Sequence, residues 1–179
     1  MSARISTGEQ SRVRDMNLLI IGAGGHGKVV KEVAESLGIY NRIDFVDDKA
    51  EVAVGKVSDL KELRTDYEAA FVGIGNNQLR KEVLTKLQAY GYHIPVLVHS
   101  TAYISPSATL SRGTIVEPKA IVNANSVVKE GCIISVGAIV DHDVVLEQCV
   151  HVNAGAICKA GSTVAEAVKL EAGQVVKGY

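Results

Sequence analysis

A chain of 179 residues with a formal net charge of -1, a pI near 6.5 and 4% aromatic residues is long enough for one full core or two small ones, since domains commonly run to about 100–150 residues. The near-neutral charge gives no electrostatic reason to expect nucleic acid or an anionic membrane, and apolar runs such as LLIIGAG are far short of the roughly 20 residues of a membrane span. Cys132, Cys149 and Cys158 are odd in number and form no CxxC pair, which points to reduced thiols in a cytoplasmic protein.

Residues 1–15 carry Arg4, Arg12 and Arg14 but no apolar stretch of the kind a signal peptide needs. They are expected to form a flexible extension, with Met16 as the natural start. LLIIGAGGHG, residues 18–27, reads as an apolar strand running into glycines. KVVKEVAESLG then sets Val29, Val30, Val33, Ala34 and Leu37 on one helical face before a stop at Gly38. IDFVDD, 43–48, is a second strand ending in acids, and AAFVGIGNN, 69–77, a third strand and turn. A helix follows with Leu79, Val83, Leu84 and Leu87 inward, and IPVLV, 94–98, leads onward. This alternation predicts a small parallel α/β domain over residues 16–97, of the size of one Rossmann-like half. Gly22, Gly24 and Gly27 satisfy GxGxxG, and Asp47 falls twenty residues after the last of them, where a ribose-binding acid is expected. Such a loop brings backbone N–H groups and a helix N-terminus to a phosphate; a purely structural tight turn, with His26 facing solvent, is the other reading.

Beyond Val98 the chain changes character. Every aromatic residue lies at or before Tyr103 except Tyr179, so the core of residues 98–179 is aliphatic. Every sixth residue from Val98 is apolar: Val98, Ile104, Leu110, Val116, Val122, Val128, Ile134, Val140, Leu146, Val152, Cys158, Val164, Leu170 and Val176. Small side chains such as Ala102, Ala108, Ala120, Ser126, Ala138 and Ala156 recur four positions later. A fixed six-residue period is the signature of a hexapeptide β-helix, a solenoid of about four and a half triangular coils here. Its flat faces, rich in Val, Ile and Ala, favour burial in a closed symmetric assembly.

Within this solenoid His142 stands between Asp141 and Asp143, and His151 follows nine residues later. An imidazole of ordinary pKa about 6.5 beside a carboxylate suits general base catalysis, while a surface histidine between solvated acids is the plainer reading. No third ligand cluster accompanies the two histidines, so no metal is expected.

Taken together, GAGGHGKVV at 22–30, FVDD at 45–48, GIGNN at 73–77 and GAIVDHD at 137–143, followed by hexapeptide repeats, resemble the bacterial sugar acyltransferases, which include UDP-4-amino-sugar N-acetyltransferases and sialic acid O-acetyltransferases. The resemblance covers roughly residues 17–178. It implies an N-terminal domain that binds a nucleotide-sugar, a left-handed parallel β-helix, and a homotrimer with acetyl-CoA sites between neighbouring β-helices. It implies further that His142 is the general base, oriented by Asp143, and that His151 contacts acetyl-CoA or else only packs. Ala160 falls near a backbone amide expected to polarise the thioester carbonyl. For the nucleotide-sugar the matching positions are Gly24, His26, Asp47, Asp48, Asn76 and Asn77, with Ser135 on the acceptor.

Three departures stand out. Ser135 lies where related N-acetyltransferases often have Asn, Ala160 where many have Gly, and many relatives continue beyond the position of Tyr179. Acetyl transfer to a UDP-4-amino-sugar is therefore the expectation, with sugar O-acetylation the alternative. A non-catalytic trimeric scaffold and a small NAD-dependent enzyme built on GxGxxG are more distant readings.

Overall fold

The run MNLLII forms β1 (Met16–Ile21), whose last four residues are buried. With β2 (Tyr40–Val46), β3 (Ala53–Gly55) and β4 (Ala69–Val72) it makes a four-stranded parallel sheet of order β3-β2-β1-β4. The computed structural model describes residues 16–179, so the extension expected over 1–15 lies outside the described residues. Helix α1 (Gly25–Leu37) joins β1 to β2 and ends at Gly38, whose left-handed backbone (φ 60°) lets its N–H close on the Glu35 carbonyl. A 3-10 turn (Val57–Asp59) runs into the short α2 (Leu60–Leu63), and α3 (Asn77–Ala89) follows β4.

One face of α3 differs from expectation. Val83, Leu84 and Leu87 are buried, but Leu79 is 46% exposed and Arg80, at 1%, takes the inward place. Apolar periodicity cannot find such a position, because an arginine is buried there by its hydrogen bonds rather than by its hydropathy. The chain divides into two compact units. One comprises the chain up to Gly75 with Glu82–Pro95, and the other comprises Asn76–Lys81 with Val96–Tyr179. The first turn of α3 thus belongs to the second unit.

From β5 (Leu97–Val98) to β17 (Val175–Val176) the second unit is built of two-residue strands in three parallel sheets. Partners in neighbouring coils are 18 residues apart, as in Ile121 with Ile139 and Ile139 with Ile157. The six-residue period therefore closes into a parallel β-helix, left-handed as the resemblance implies. The second residue of each strand fills the bore, where Val116, Val122, Val128, Ile134, Val140, Leu146, Val152 and Cys158 are fully buried. Ala120, Ala138 and Ala156 fit among them at the narrow corners.

Several corners need a left-handed backbone. Lys119, Asn125, Asp143, Cys149 and Ala167 adopt it without being glycine, at φ 57–60°, where an L-residue costs roughly 1–2 kcal/mol. Along one edge Gly131, Cys149 and Ala167 lie one coil apart, and the first turn of α3 bonds their carbonyls. Arg80 Nε donates to Gly131 O at 2.7 Å and Nη2 to Cys149 O at 2.8 Å. Asn77 Nδ2 donates to Ala167 O at 2.8 Å, and its Oδ1 accepts from Arg80 Nη2. Burial pulls the Arg80 guanidinium below its ordinary pKa.

Candidate active site

The turn after β12 (Ile139–Val140) carries Asp141, His142 and Asp143. The His142 backbone N–H donates to Asp141 Oδ1 at 2.8 Å, and His142 Nδ1 lies 2.8 Å from Asp143 Oδ2. With the carboxylate as acceptor, Nδ1 carries the proton and Nε2 keeps its lone pair. The hydrogen bond that His142 donates to Asp143 raises the His142 pKa above its ordinary value, with smaller help from the charges of Asp141 and Asp143. The same bond, followed by one from Asn125, holds Asp143 below the usual carboxylate range. The His142 amide does this for Asp141. The left-handed backbone of Asp143 (φ 58°) turns its side chain back onto the histidine.

Two residues that sequence reasoning misses complete this turn from the coil below. Asn123 Nδ2 donates to Asp141 Oδ1 and Asn125 Nδ2 to Asp143 Oδ1, each at 3.2 Å. Their signal is one of spacing: the segment NAN at 123–125 stands 18 residues, one coil, before DHD at 141–143.

In the same column, Gly161 lies one coil past Asp143 and Tyr179 one coil further. A Cβ on Gly161, whose φ is +70°, would overlap the Tyr179 ring. Through that gap the Tyr179 hydroxyl approaches Asp143 Oδ2 at 3.4 Å, and its ring centroid lies 6.4 Å from that of His142. Tyr179 N–H donates to the Ala160 carbonyl at 3.3 Å. The Ala160 amide is the smallest of the contributions that hold Asp141 below the usual carboxylate range.

His151 lies on strand β14 (His151–Val152), not at a corner, and is 8% exposed. Its Nε2 is 3.1 Å from Ser135 Oγ, itself buried, so these two expected site residues are brought together. Beside them Glu117 accepts the Val136 N–H at 2.9 Å, and burial holds its carboxyl above the usual range.

In the first unit the glycines have separate duties. Gly22 takes φ +101°, and Gly27 lets α1 lie so close to β1 that a Cβ there would overlap the Gly22 carbonyl. Gly24 caps α1 with open space over its Cα, and His26 is half-buried in the first turn. Asp47 is engaged by backbone: Oδ2 accepts from Ala23 N–H at 2.9 Å, and Oδ1 from Lys49 and Ala50 N–H. These bonds, the Ala23 amide foremost, lower its pKa. Asp48 Oδ1 accepts the Val57 N–H at 3.0 Å. An open cavity of about 350 Å³ is lined by Asp47, Asp48, Lys49, Glu51, Val54 and Lys56. In the second unit Asn76 Oδ1 caps α3 through Leu79 N–H at 2.9 Å, while Asn77 is occupied by Ala167 and Arg80. Among the described residues no cluster is placed to hold a metal ion, and no helix is long and apolar enough to cross a membrane.

A Rossmann-like half followed by a hexapeptide β-helix with a carboxylate-held histidine at a corner defines a β-helical acyltransferase class. Residues 17–87 match the PglD N-terminal domain family. The acetyltransferase domain of PglB from Neisseria gonorrhoeae FA1090, solved with acetyl coenzyme A, is 37% identical, with a TM-score of 0.88 over 92% of this chain and 82% of that one. PerB from Caulobacter crescentus, solved with CoA and GDP-perosamine, is 30% identical, with a TM-score of 0.78 over 90% and 89%. A UDP-N-acetylbacillosamine N-acetyltransferase of Bacillus subtilis (strain 168) is 29% identical over 110 residues, 56% of this chain and 50% of that protein, so the match spans about half the length of this curated relative. The chain belongs to the sugar acetyltransferase family of PglB and PerB.

Proposed function

We propose that this protein transfers the acetyl group of acetyl-CoA to the amino group of a nucleotide-linked amino sugar, with His142 as general base. The observation that carries this reading is the His142–Asp143 pair, which fixes the proton on Nδ1 and leaves Nε2 as acceptor. The ligands named with PglB and PerB, acetyl-CoA, CoA and GDP-perosamine, support it.

As the sugar amine attacks the thioester carbonyl, a C–N bond forms and Nε2 takes the amine proton. The C–S bond then breaks, and the departing CoA thiolate recovers the proton from the imidazolium. Asp143 stabilises that imidazolium and fixes its tautomer. Ser135 and His151 form one buried polar element for the acetyl-CoA or acceptor side. Gly24 and His26 at the start of α1 suit a diphosphate. Asp47 contributes by pinning the glycine loop through Ala23, and Asp48, with one oxygen outside its bond to Val57, suits the base or ribose.

The assembly is a homotrimer in this reading. An outward column of Tyr103, Ile121, Ile139, Ile157 and Val175 runs along one sheet of the solenoid, and the apolar surface it would bury between copies favours closure. Three buried, unpaired cysteines support residence in the cytoplasm, where acetyl-CoA is available.

The test is release of free thiol from acetyl-CoA with UDP- and GDP-linked amino sugars, comparing the natural chain with His142→Ala. Turnover that disappears in the variant while its mass is unchanged is the expected result. Turnover only with hydroxyl acceptors would move the reaction to O-acetylation, and none with either would leave a scaffold.

A further inference from the structure

The parallel register stacks Ser107, Asn125 and Asp143 at 18-residue intervals on one corner. Ser107 Oγ accepts the Asn125 backbone N–H at 3.0 Å and lies 3.2 Å from Ser105 Oγ, which anchors the lower turn. Asn125 is left-handed (φ 59°) and sends its side chain along the solenoid. Its partner is a carboxylate oxygen, so the atom presented to Asp143 is the Nδ2 donor, at 3.2 Å from Oδ1. Oδ2 is then the oxygen left facing His142 Nδ1 at 2.8 Å. The neighbouring turn residue repeats the arrangement: Asn123 Oδ1 accepts Ala124 N–H at 2.8 Å, which orients its Nδ2 toward Asp141.

Asp143 needs such a hold. Its side chain and that of His142 are 46% and 44% exposed, so solvent competes for the carboxylate, and the Tyr179 hydroxyl approaches the same Oδ2. A carboxylate free to rotate would divide Oδ2 among water, phenol and imidazole. The groups facing His142 that bear on its titration are Asp141, Asp143 and Tyr179.

We propose that Asn125 is a positioning residue for the base: by holding Asp143 Oδ1 it aims Oδ2 at His142 Nδ1 and fixes the tautomer that leaves Nε2 ready. This inference rests on the reading of His142 as the base. Nothing in it requires Asn125 to touch a substrate.

Two variants test it. Asn125→Gly removes the amide and suits the left-handed backbone, so the protein is expected to melt no lower than the natural one. Its kcat falls about 10-fold, as when a group that orients a catalytic ligand is lost, while KM for acetyl-CoA stays within about twofold because no binding contact is removed. Asn125→Asp keeps the shape but sets an acceptor against Asp143 Oδ1, and lowers kcat at least as far. The second readout is the NMR titration of His142, assigned with His142→Gln. In Asn125→Gly the midpoint falls toward the ordinary histidine value, because a loosened Asp143 stabilises the imidazolium less. A midpoint that is unchanged or raised, or natural kcat in Asn125→Asp, overturns the proposal. If the natural chain transfers no acetyl group, the function reading fails, and the titration of His142 still decides whether Asn125 positions it.

Discussion

His142 owes its chemistry to one oxygen atom. Because the hydrogen bond to Asp143 Oδ2 raises the imidazole pKa, the neutral base becomes the major form at a higher pH than in an ordinary histidine, whose value is about 6.5. In the reading proposed above, kcat/KM therefore climbs with pH through a midpoint higher than that. Asp143→Asn removes both the charge and the fixed tautomer; the acidic limb moves to lower pH, and kcat drops on the order of 10²-fold, measurable in a pH–rate profile. A second residue-level expectation concerns strain. Ala167 holds φ 57° without being glycine, so Ala167→Gly raises stability by about 0.5–1 kcal/mol, to be read from urea denaturation at unchanged m-value. The His142–Asp143 contact was legible in the sequence because DHD is local. Asn123 and Asn125 were not, since their relation to it exists only once the coil closes on 18 residues. The Ser135–His151 bond was hidden for the same reason: it crosses between coils.

At the scale of elements, the first turn of α3 shows where a hydropathy pattern stops being informative. Four apolar positions at helical spacing suggested one continuous inward face, yet Leu79 points out and Arg80 in, because the left-handed corners at Gly131 and Cys149 present carbonyls that a guanidinium can bridge. Replacing Arg80 by Met leaves those carbonyls without their charged donor and is expected to destabilise the protein by roughly 2–4 kcal/mol. Arg80→Lys is expected to recover little of this, since a single ammonium lacks the fork that reaches both carbonyls. Chemical denaturation of the two variants side by side checks both statements. The sheet of the first unit was legible in β1 and β4, whose residues are mostly apolar, and in the second half of β2, whereas its polar start at Tyr40–Arg42 was not. The three-residue β3 was missed, because AVG has too few residues to show a period.

For the molecule as a whole, the regular interior was the most legible feature, since an unbroken six-residue apolar repeat fits a coil of three short strands and little else. Assembly is the least legible, because the outward column carries the same Val and Ile as the bore. Ile139→Glu places a charge in the middle of that column and leaves Val140 inside untouched. The proposed trimer is expected to dissociate, lowering the mass seen by light scattering by about two-thirds and acetyl transfer with it, since a charge buried without a partner opposes association strongly. The register of the coils has a further consequence, for descent rather than for chemistry. Length in such a chain is quantised: gain or loss of whole 18-residue rungs preserves every stacking relation elsewhere, a change of six or twelve keeps bore residues inside but moves them to another face, and a change within the strands that is no multiple of six shifts them onto the surface. The asparagines and the acids they hold are separated by a single quantum, so one duplicated rung inserted between residues 125 and 141 would leave the bore intact and part the two layers. In this lineage of folds, architecture and activity can be inherited separately.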